Sequence, residues 1–399
     1  MELKKIGIDC RFWGVSHAGL GRYTRELTLA IIENLFKTTS KRQTYLFELT
    51  LFFQKNQAEK NKDLLKKCKI VEVNIPHYSL KEQLAFSQII DKQNLDLIHF
   101  PHFNFPMSIK TPFVVTIHDL IKHYFRGRSV TTRLLPIYWL KHLGYRLVIH
   151  QAIKRSVFIL CPSYFVKNQI KLHYPQFANK VKVIYEGASN NFKVQNSNLK
   201  VRNLEIFKKY KIRKPYFIYV GSAYPFKNLF VLLQAFRQLV NRKEVKVKPR
   251  LLIASARDVF WKRLKEQVLS LNLEKQVILP GEVTDDDLNR LYQQAEAFIT
   301  PSLMEGFGLP GLEAMASGCP VIAAKAGSLP EVYGKAAFFF QPRRIDDLVK
   351  QMEKILNFSN LQRQQQIKKG LLQAEKYSWA KAAEETLKIY KQALETFNH

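Results

Sequence analysis

Residues 301–320 read PSLMEGFGLPGLEAMASGCP, with Glu305 and Glu313 on either side of a glycine loop. The proline after the loop suits the first turn of a helix, and the last glycine suits its C-terminal end. Short apolar runs lie before this stretch, at 297–299, and after it, at 321–324. A helix between two such runs is typical of a parallel sheet covered by helices, so the predicted fold class is α/β.

The same alternation of apolar runs and helical segments extends along the chain and restarts after a polar, turn-rich segment at 190–215. With 399 residues, the chain is too long for one typical domain. We therefore expect domains at 1–195 and 196–376, followed by a helix at 377–399 that packs on a domain surface. The predicted strands are 5–8, 97–100, 114–117, 157–160, 216–220, 251–254, 277–279, 297–299 and 321–324.

The chain is strongly basic, with 63 Lys and Arg against 33 Asp and Glu and a formal net charge of +30. Such a surface attracts nucleic acid, anionic lipid or phosphorylated substrates, unless it reflects solvated lysines without a partner. No nucleic-acid motif accompanies the charge, so we expect no nucleic acid partner and favour peripheral contact with an anionic membrane. Residues 134–153 are the best candidate for this contact, although a core-facing helix would show the same pattern.

Cysteine usage and hydropathy set the expected compartment. The four cysteines form no C-x-x-C pair and have no histidine at zinc-site spacing, so we expect reduced thiols and no metal. The first apolar run is too short for a secretory signal, and no window has the roughly 18 uncharged apolar residues of a spanning helix. The sequence therefore predicts a cytoplasmic protein, with any membrane contact being peripheral.

Parallel α/β domains bind ligands beyond the carboxyl ends of their strands, so polar residues directly after a strand are candidate site residues. After the first predicted strand come Gly19, Gly21 and Arg22, at the start of a helix. Glycines let the backbone approach a phosphate, and a helix N-terminus supplies N–H groups. The dinucleotide fingerprint is incomplete, because Thr24 stands in place of its third glycine. A turn with only a packing role is the alternative.

His118 and Asp119 follow another predicted strand. The imidazole can donate a hydrogen bond to a sugar hydroxyl or a carbonyl, while Asp119 fixes its tautomer or binds a hydroxyl itself. The alternative is a core histidine whose ring nitrogens form hydrogen bonds only within the protein. No serine or cysteine motif for acyl transfer accompanies the pair.

In the second half, Ser222, Lys227 and Asn228 lie between a predicted strand and a helix. A lysine there would neutralise a leaving diphosphate without a metal, although one lysine among many proves little alone. Glu305 and Glu313 can accept paired hydroxyls of a ribose and a hexose, and the N–H groups of the loop between them can bind sugar or phosphate oxygens. Helix capping explains the glycines and the proline, but not acids on both sides of an apolar loop.

Taken in order, these residues resemble the retaining GT-B glycosyltransferases of family four, especially their bacterial mannosyltransferase-like branch. The resemblance covers nearly the whole chain. It implies a GT-B fold, in which two Rossmann-like domains face each other across a cleft, the first for the acceptor and the second for the donor. The helix at 377–399 would then be the crossover helix that packs on the N-terminal domain. The matching motifs are Ile8-Asp9-Cys10-Arg11, Gly19-Leu20-Gly21-Arg22-Tyr23, His118-Asp119, Lys227-Asn228 and the Glu-x7-Glu motif of Glu305 and Glu313.

The resemblance also implies roles. Glu313 would bind the nucleotide ribose, Glu305 would lie near hydroxyls of the transferred sugar, and Lys227 would contact the diphosphate. The expected catalytic residues are His118, Lys227 and Glu305. The expected donor-binding residues are Gly19, Gly21, Arg22, Asp119, Ser222, Lys227, Asn228, Glu305, Gly306, Phe307, Gly308, Leu309 and Glu313.

The implied reaction is transfer of a hexose, mannose first, from a GDP- or UDP-sugar to a glycan or lipid-linked acceptor in cell-surface polysaccharide synthesis. Anomeric configuration would be retained, with no metal and no further cofactor, at the inner face of the cell membrane. Two positions depart from the family pattern, since Ser222 and Phe226 replace arginines of many relatives, and Arg22 is one candidate for the missing charge. The alternative function is a basic membrane- or nucleic-acid-binding scaffold on a catalytically silent GT-B fold.

Overall fold

The computed structural model of the protein divides into two compact units. It describes residues 3–14, 18–37, 47–55, 57, 66–79, 81–127, 130–131, 134–189, 191–192, 194 and 199–396. The first unit comprises Met1–Leu120, Arg133–Glu186 and Ser378–His399, and the second comprises Ile121–Thr132 and Gly187–Tyr377. The domain boundary predicted between residues 195 and 196 lies outside the described residues.

The first unit is built on a seven-stranded parallel sheet. Its strands are β1 Lys4–Asp9, β2 Phe47–Phe53, β3 Lys69–Glu72, β4 Leu97–Phe100, β5 Phe113–Thr116, β6 Ile159–Cys161 and β7 Val181–Val183. Their spatial order is β3-β2-β1-β4-β5-β6-β7, so the order reverses between β1 and β4. Every residue of β4 and β5 is buried, as expected for central strands covered by helices on both faces.

The second unit repeats this plan with a six-stranded parallel sheet. Its strands are β8 Tyr216–Val220, β9 Arg250–Ala254, β10 Val277–Gly281, β11 Ala297–Thr300, β12 Val321–Ala324 and β13 Ala337–Phe340. The spatial order is β10-β9-β8-β11-β12-β13, which reverses between β8 and β11. Both units therefore have the Rossmann strand order, and the predicted α/β class is confirmed.

Helices connect the strands of both sheets. In chain order they are α1 Ala18–Lys37, α2 Ser87–Asp91, α3 Ile121–Tyr124, α4 Leu135–Arg155, α5 Tyr164–His173, α6 Leu199–Tyr210, α7 Leu229–Asn241, α8 Val259–Ser270, α9 Asp285–Gln294, α10 Leu309–Ala316, α11 Leu329–Tyr333, α12 Ile345–Leu356, α13 Asn360–Ala374 and α14 Trp379–Glu395. A π-helical turn, Glu82–Phe86, leads directly into α2. Within the part of the chain that the structure describes, no helix combines the length and the hydropathy needed to cross a bilayer.

The last helix, α14, belongs to the first unit, where it lies against α1 and beside β4. Its first turn is capped by Ser378, whose side chain accepts a hydrogen bond from the N–H of Lys381. The buried Tyr390 hydroxyl lies 2.7 Å from Nδ1 of His99 in β4, and Nε2 of His99 lies 2.8 Å from the Thr116 hydroxyl in β5. A polar chain thus joins the terminal helix to two central strands.

The buried His99 should make the stability of the first unit depend on pH. Burial lowers the pKa of His99 to about 3, helped by the neighbouring His118. An unfolded histidine titrates near 6.5, so between these two values only the unfolded chain binds the proton. Above about pH 6.5 the histidine is neutral in both states and does not affect stability. Below that pH, the free energy of unfolding falls by about 1 kcal/mol per pH unit, because the proton binds only to the unfolded chain.

Urea unfolding at several pH values, with the wild type and His99→Gln, measures this dependence. We expect the free energy of unfolding of the wild type to fall more steeply with acidification than that of the variant. Equal slopes for the two proteins would show that His99 takes up its proton equally in both states, contrary to the structure.

Candidate functional site

The segments that follow β8 and β11 leave the second sheet where its strand order reverses, which is where such sheets bind ligands. Lys227 ends a short 3-10 turn after β8, and Glu305 lies in the loop after β11. The Lys227 ammonium donates to both carboxylate oxygens of Glu305, at 2.7 and 2.9 Å. The two side chains are 19% and 15% exposed, so the pair lies within reach of a ligand.

Glu305 is held on several sides. The Ser302 hydroxyl donates to its carboxylate at 2.6 Å. The N–H and the hydroxyl of Ser328, in the segment after β12, both donate to the Glu305 carbonyl, at 3.2 and 3.1 Å. Gly327 has φ +59, and a Cβ there would lie 2.6 Å from the backbone nitrogen of Glu305. Side chain and main chain of Glu305 are therefore both fixed in place.

Asn228 ties three loops together at the same sheet edge. Its side-chain amide donates to the carbonyls of Pro301, after β11, and Pro342, after β13, at 3.1 and 2.7 Å. Its backbone is left-handed, with φ +59, which costs a non-glycine residue roughly 1 kcal/mol. The two hydrogen bonds offset this cost, and the resulting turn places Lys227 directly before α7.

Helix α10 begins immediately after the glycine loop. Its N-cap is Gly308, with φ +96, and the Tyr333 hydroxyl donates to the Gly308 carbonyl at 2.5 Å. Burial, with the negative charges of Glu305 and Glu313 adding to it, raises the pKa of Tyr333, which keeps this hydroxyl a donor. Glu313 lies in the second turn and is only 1% exposed, so packing fixes the direction of its carboxylate.

Two aromatic residues shape the surroundings of the pair. The buried Tyr219 donates its hydroxyl to the Ser222 carbonyl at 2.8 Å, and burial together with the charge of Glu305 raises the pKa of Tyr219. Phe307 is buried edge-on against Tyr377, with 5.7 Å between ring centroids. The Phe307 side chain therefore contributes packing, and its predicted role rests on its main chain.

His118 lies after β5 in the first unit, and its ring meets two hydrogen-bond acceptors. Nε2 lies 2.8 Å from the Pro101 carbonyl and Nδ1 lies 3.3 Å from the Glu186 carboxylate. Burial alone would lower the pKa of His118, but the hydrogen bond and charge of Glu186 outweigh it and raise the pKa. Nε2 carries a proton, because the Pro101 carbonyl can only accept a hydrogen bond. This arrangement corresponds to the alternative of a histidine satisfied within the protein.

The glycines after β1 lie at the start of a helix, as the sequence indicated, because Gly19 and Gly21 are in the first turn of α1. A Cβ on Gly21 would collide with the Gly14 carbonyl oxygen, so close packing explains this glycine. A Cβ on Gly19 would meet nothing within 4 Å. At the position of the third fingerprint glycine, the buried Thr24 donates its hydroxyl to the Leu20 carbonyl at 2.9 Å.

A buried ionic cluster at the same edge of the first sheet was not predicted. Arg11 donates to both carboxylate oxygens of Asp9 at 2.8 Å and to Glu82 at 2.7 Å, and all three side chains are at most 1% exposed. Glu82 also accepts from the N–H of Tyr78 at 2.7 Å and from the Asn104 amide at 2.8 Å. Asp9 ends β1 and Arg11 follows it, and both belong to the Ile8-Asp9-Cys10-Arg11 motif, whereas no sequence pattern marks Glu82.

The predicted site residues thus fall into two groups, one in each unit. The second unit holds the ion pair, the glycine loop and Glu313. Among the residues that the structure describes, no group of three His, Cys, Asp or Glu side chains is arranged to hold a metal ion. The first group is Gly19, Gly21, Arg22, His118 and Asp119, and the second is Ser222, Lys227, Asn228, Glu305, Gly306, Phe307, Gly308, Leu309 and Glu313.

Solved structures resemble this fold over the full chain. Sucrose-phosphate synthase from Thermosynechococcus elongatus aligns with a TM-score of 0.76 and 18% identity, covering 98% of this chain and 100% of that one. Anabaena HepE in complex with UDP-glucose aligns with a TM-score of 0.70 and 16% identity, covering 98% and 100%. At this level of identity the likeness concerns the fold, which is that of GT-B glycosyltransferases.

Sequence relatives include two bacterial mannosyltransferases. The O-antigen chain mannosyltransferase RfbU of Salmonella typhimurium is 27% identical over 65% of this chain and 64% of its own length, so the match spans just under two thirds of that protein. The O-antigen chain mannosyltransferase B of Escherichia coli is 29% identical over 74% of each chain.

Two family models match successive parts of the sequence. The model for glycosyltransferase family 4 matches residues 47–190, and the model for glycosyl transferases group 1 matches residues 202–371. The second match contains the Lys227–Glu305 pair and Glu313. The order of the two matches follows the order of the two Rossmann-like units. The chain therefore belongs to the family-four, group 1 glycosyltransferases.

Proposed function

We propose that the protein transfers a hexose, mannose first, from a GDP- or UDP-sugar to a glycan or lipid-linked oligosaccharide in cell-surface polysaccharide synthesis. The observation that carries this proposal is the Lys227–Glu305 pair at the reversal point of the second sheet, followed by the glycine loop and Glu313. The names of the two O-antigen relatives support mannose, and the UDP-glucose in HepE supports a nucleotide-sugar donor.

The geometry of the pair fits a sugar diphosphate. An ammonium has three hydrogens, and the two bonds from Lys227 to Glu305 leave one hydrogen for a phosphate oxygen. The Glu305 carboxylate can accept hydroxyls of the transferred sugar while Ser302 holds it in place. The fixed Glu313 carboxylate would accept the two ribose hydroxyls. No cofactor beyond the donor is required in this scheme.

We further propose that transfer retains anomeric configuration and needs no metal. The bond between the anomeric carbon and the phosphate oxygen breaks, and the acceptor oxygen bonds to that carbon on the same face. The acceptor proton passes to the leaving phosphate oxygen, so no protein base is needed. Lys227 and the N-terminus of α10 would stabilise the charge that develops on the diphosphate. His118 is proposed as a further catalytic residue.

The proposed location is the cytoplasmic face of the cell membrane, in peripheral contact with anionic lipid. A lipid-linked acceptor lies in that membrane, and the net charge of +30 favours an anionic surface. The scaffold alternative is not favoured, because both bacterial relatives carry mannosyltransferase names. Nothing in the proposed reaction requires nucleic acid.

The direct test is a transfer assay with GDP-mannose and with UDP-glucose, using a membrane fraction rich in lipid-linked glycan as acceptor. We expect incorporation of sugar that continues in the presence of EDTA. Nuclear magnetic resonance of the product should show the same anomeric configuration as the donor. An inverted linkage, or a requirement for added metal, would overturn the proposed mechanism, and no incorporation from any nucleotide sugar would overturn the proposed function.

A further inference from the structure

Helix α4, Leu135–Arg155, is apolar on two opposite sides. Its inner side buries Ile149, Ala152 and Ile153 in the core of the first unit. On its outer side, Leu140, Leu143 and Leu147 are 72%, 67% and 51% exposed. A spacing of three and four residues places these leucines on one face, which we call the leucine face. A helix that only covered a core would turn polar side chains outward here.

Further apolar side chains extend the leucine face toward the start of α4. Leu134, Ile137 and Trp139 are all exposed. Soluble proteins seldom expose this many large apolar side chains together unless the surface meets another molecule or a membrane. An exposed tryptophan at such a place is typical of residues that lie at the boundary between lipid tails and headgroups.

The charge around the leucine face has one sign. From residue 134 to residue 185 the chain contains eight Lys or Arg residues and no Asp or Glu. Lys141 and Lys154 are exposed on α4, and Arg146 is partly exposed beside them. Lys180 donates to the carbonyls of Lys154 and Ser156, at 2.9 and 3.0 Å, so another cation lies at the C-terminal end of the helix. The long basic stems can reach past an apolar surface to anionic groups.

We propose that the leucine face of α4 docks on an anionic bilayer and buries its leucines among the outer parts of the lipid chains. Charge complementarity selects lipid over a second copy of the chain, because two copies meeting at this face would bring like charges together. This inference deepens the proposed membrane location and rests on it, but it does not rest on the Lys227–Glu305 pair or on Glu313, which lie in the other unit. The inner side of α4 faces the core, as one interpretation of residues 134–153 expected, and the proposal assigns the membrane contact to its outer side.

Vesicle flotation of the full chain tests the surface, with phosphatidylcholine vesicles that either contain or lack phosphatidylglycerol. The test variant is Leu140→Ser/Leu143→Ser/Leu147→Ser. The control is Leu269→Ser/Leu361→Ser/Leu372→Ser, which removes three leucines of similar exposure, at 51%, 68% and 53%, from the second unit. We expect the wild type and the control to float with the anionic vesicles, and the test variant to lose at least about tenfold in partitioning.

Thermal unfolding and nucleotide binding of each variant separate this inference from the proposed function. The test variant should unfold at the wild-type temperature and bind donor nucleotide as the wild type does. The inference is overturned if the wild type ignores anionic vesicles, if the test variant floats like the control, or if the substitutions instead convert a wild-type dimer to a monomer. If the wild type binds no nucleotide, the proposed donor site is overturned, whereas the conclusion from vesicle flotation is unaffected.

Discussion

Glu305→Ala is expected to lower kcat/KM for sugar transfer by at least about a hundredfold. The substitution removes the carboxylate proposed to bind the sugar hydroxyls and leaves two neighbouring polar groups without their partner. The Lys227 ammonium would lose its ion-pair partner, and the Ser302 hydroxyl would lose its acceptor. Initial rates at varied donor concentration measure the effect. Glu274→Ala is a matched control, since it removes an exposed glutamate from the same unit.

A second variant, Glu305→Gln, separates charge from shape. Glutamine keeps the volume and one acceptor oxygen but cannot pair with the Lys227 ammonium as an ion. We expect it to be nearly as impaired as Glu305→Ala if the charge matters. Wild-type kcat/KM in both variants, with a normal unfolding temperature, would remove Glu305 from the proposed site.

Gly327→Ala is expected to destabilise the second unit by about 2 kcal/mol or more and to lower activity with it. Its backbone is left-handed, with φ +59, and the added Cβ would lie 2.6 Å from the nitrogen and 2.7 Å from the carbonyl oxygen of Glu305. These are backbone atoms, so relief requires the Glu305 loop to move. Urea unfolding followed by circular dichroism, together with transfer rates, measures both effects.

Gly144→Ala provides the control for this substitution. Gly144 lies inside α4 without a left-handed backbone, and a Cβ there would meet nothing within 4 Å. Alanine in a helix interior is expected to stabilise by roughly 0.5–1 kcal/mol. If Gly327→Ala instead left the free energy of unfolding unchanged or raised it, as expected for Gly144→Ala, the close contact between Gly327 and Glu305 would not constrain the fold.

Most of the fold was predictable because the central strands are continuous apolar runs. All nine predicted strands are present, each with ends within two residues of those predicted. Strands β3 and β7 were not predicted, and both are short edge strands with charged residues, for which periodicity gives little signal. Strands β2 and β13 were also missed, although both are rich in phenylalanine.

The candidate site was predictable where a charged residue occurs in an otherwise apolar stretch beside a strand. Lys227, Glu305 and Glu313 follow or flank strands and stand out against their surroundings. The supporting residues were harder to find, because Asn228 acts through two distant carbonyls and Gly327 through a contact with Glu305. Such contacts depend on strand order, which the sequence does not state.

Two predicted site residues that follow strands of the first sheet are ambiguous in the structure as well. Gly21 and His118 looked like ligand contacts, and the structure gives each of them a partner within the protein. Gly21 permits close approach to the Gly14 carbonyl, and His118 bonds to Pro101 and Glu186. A glycine or histidine after a strand is compatible with both uses, and only three-dimensional neighbours distinguish them. Their roles in donor binding and catalysis remain predictions.

The central claim is that the second unit binds a nucleotide sugar through Glu313 and the Lys227–Glu305 pair. Calorimetric titration of the wild type and Glu313→Gln with GDP, UDP and ADP tests it most directly, because glutamine keeps the volume of the buried side chain and removes its charge. We predict that the wild type binds one nucleotide selectively and that the variant, folded to the same extent, binds it at least about tenfold more weakly. A folded wild type that binds none of the three, or a variant that binds as tightly as the wild type, would contradict the account.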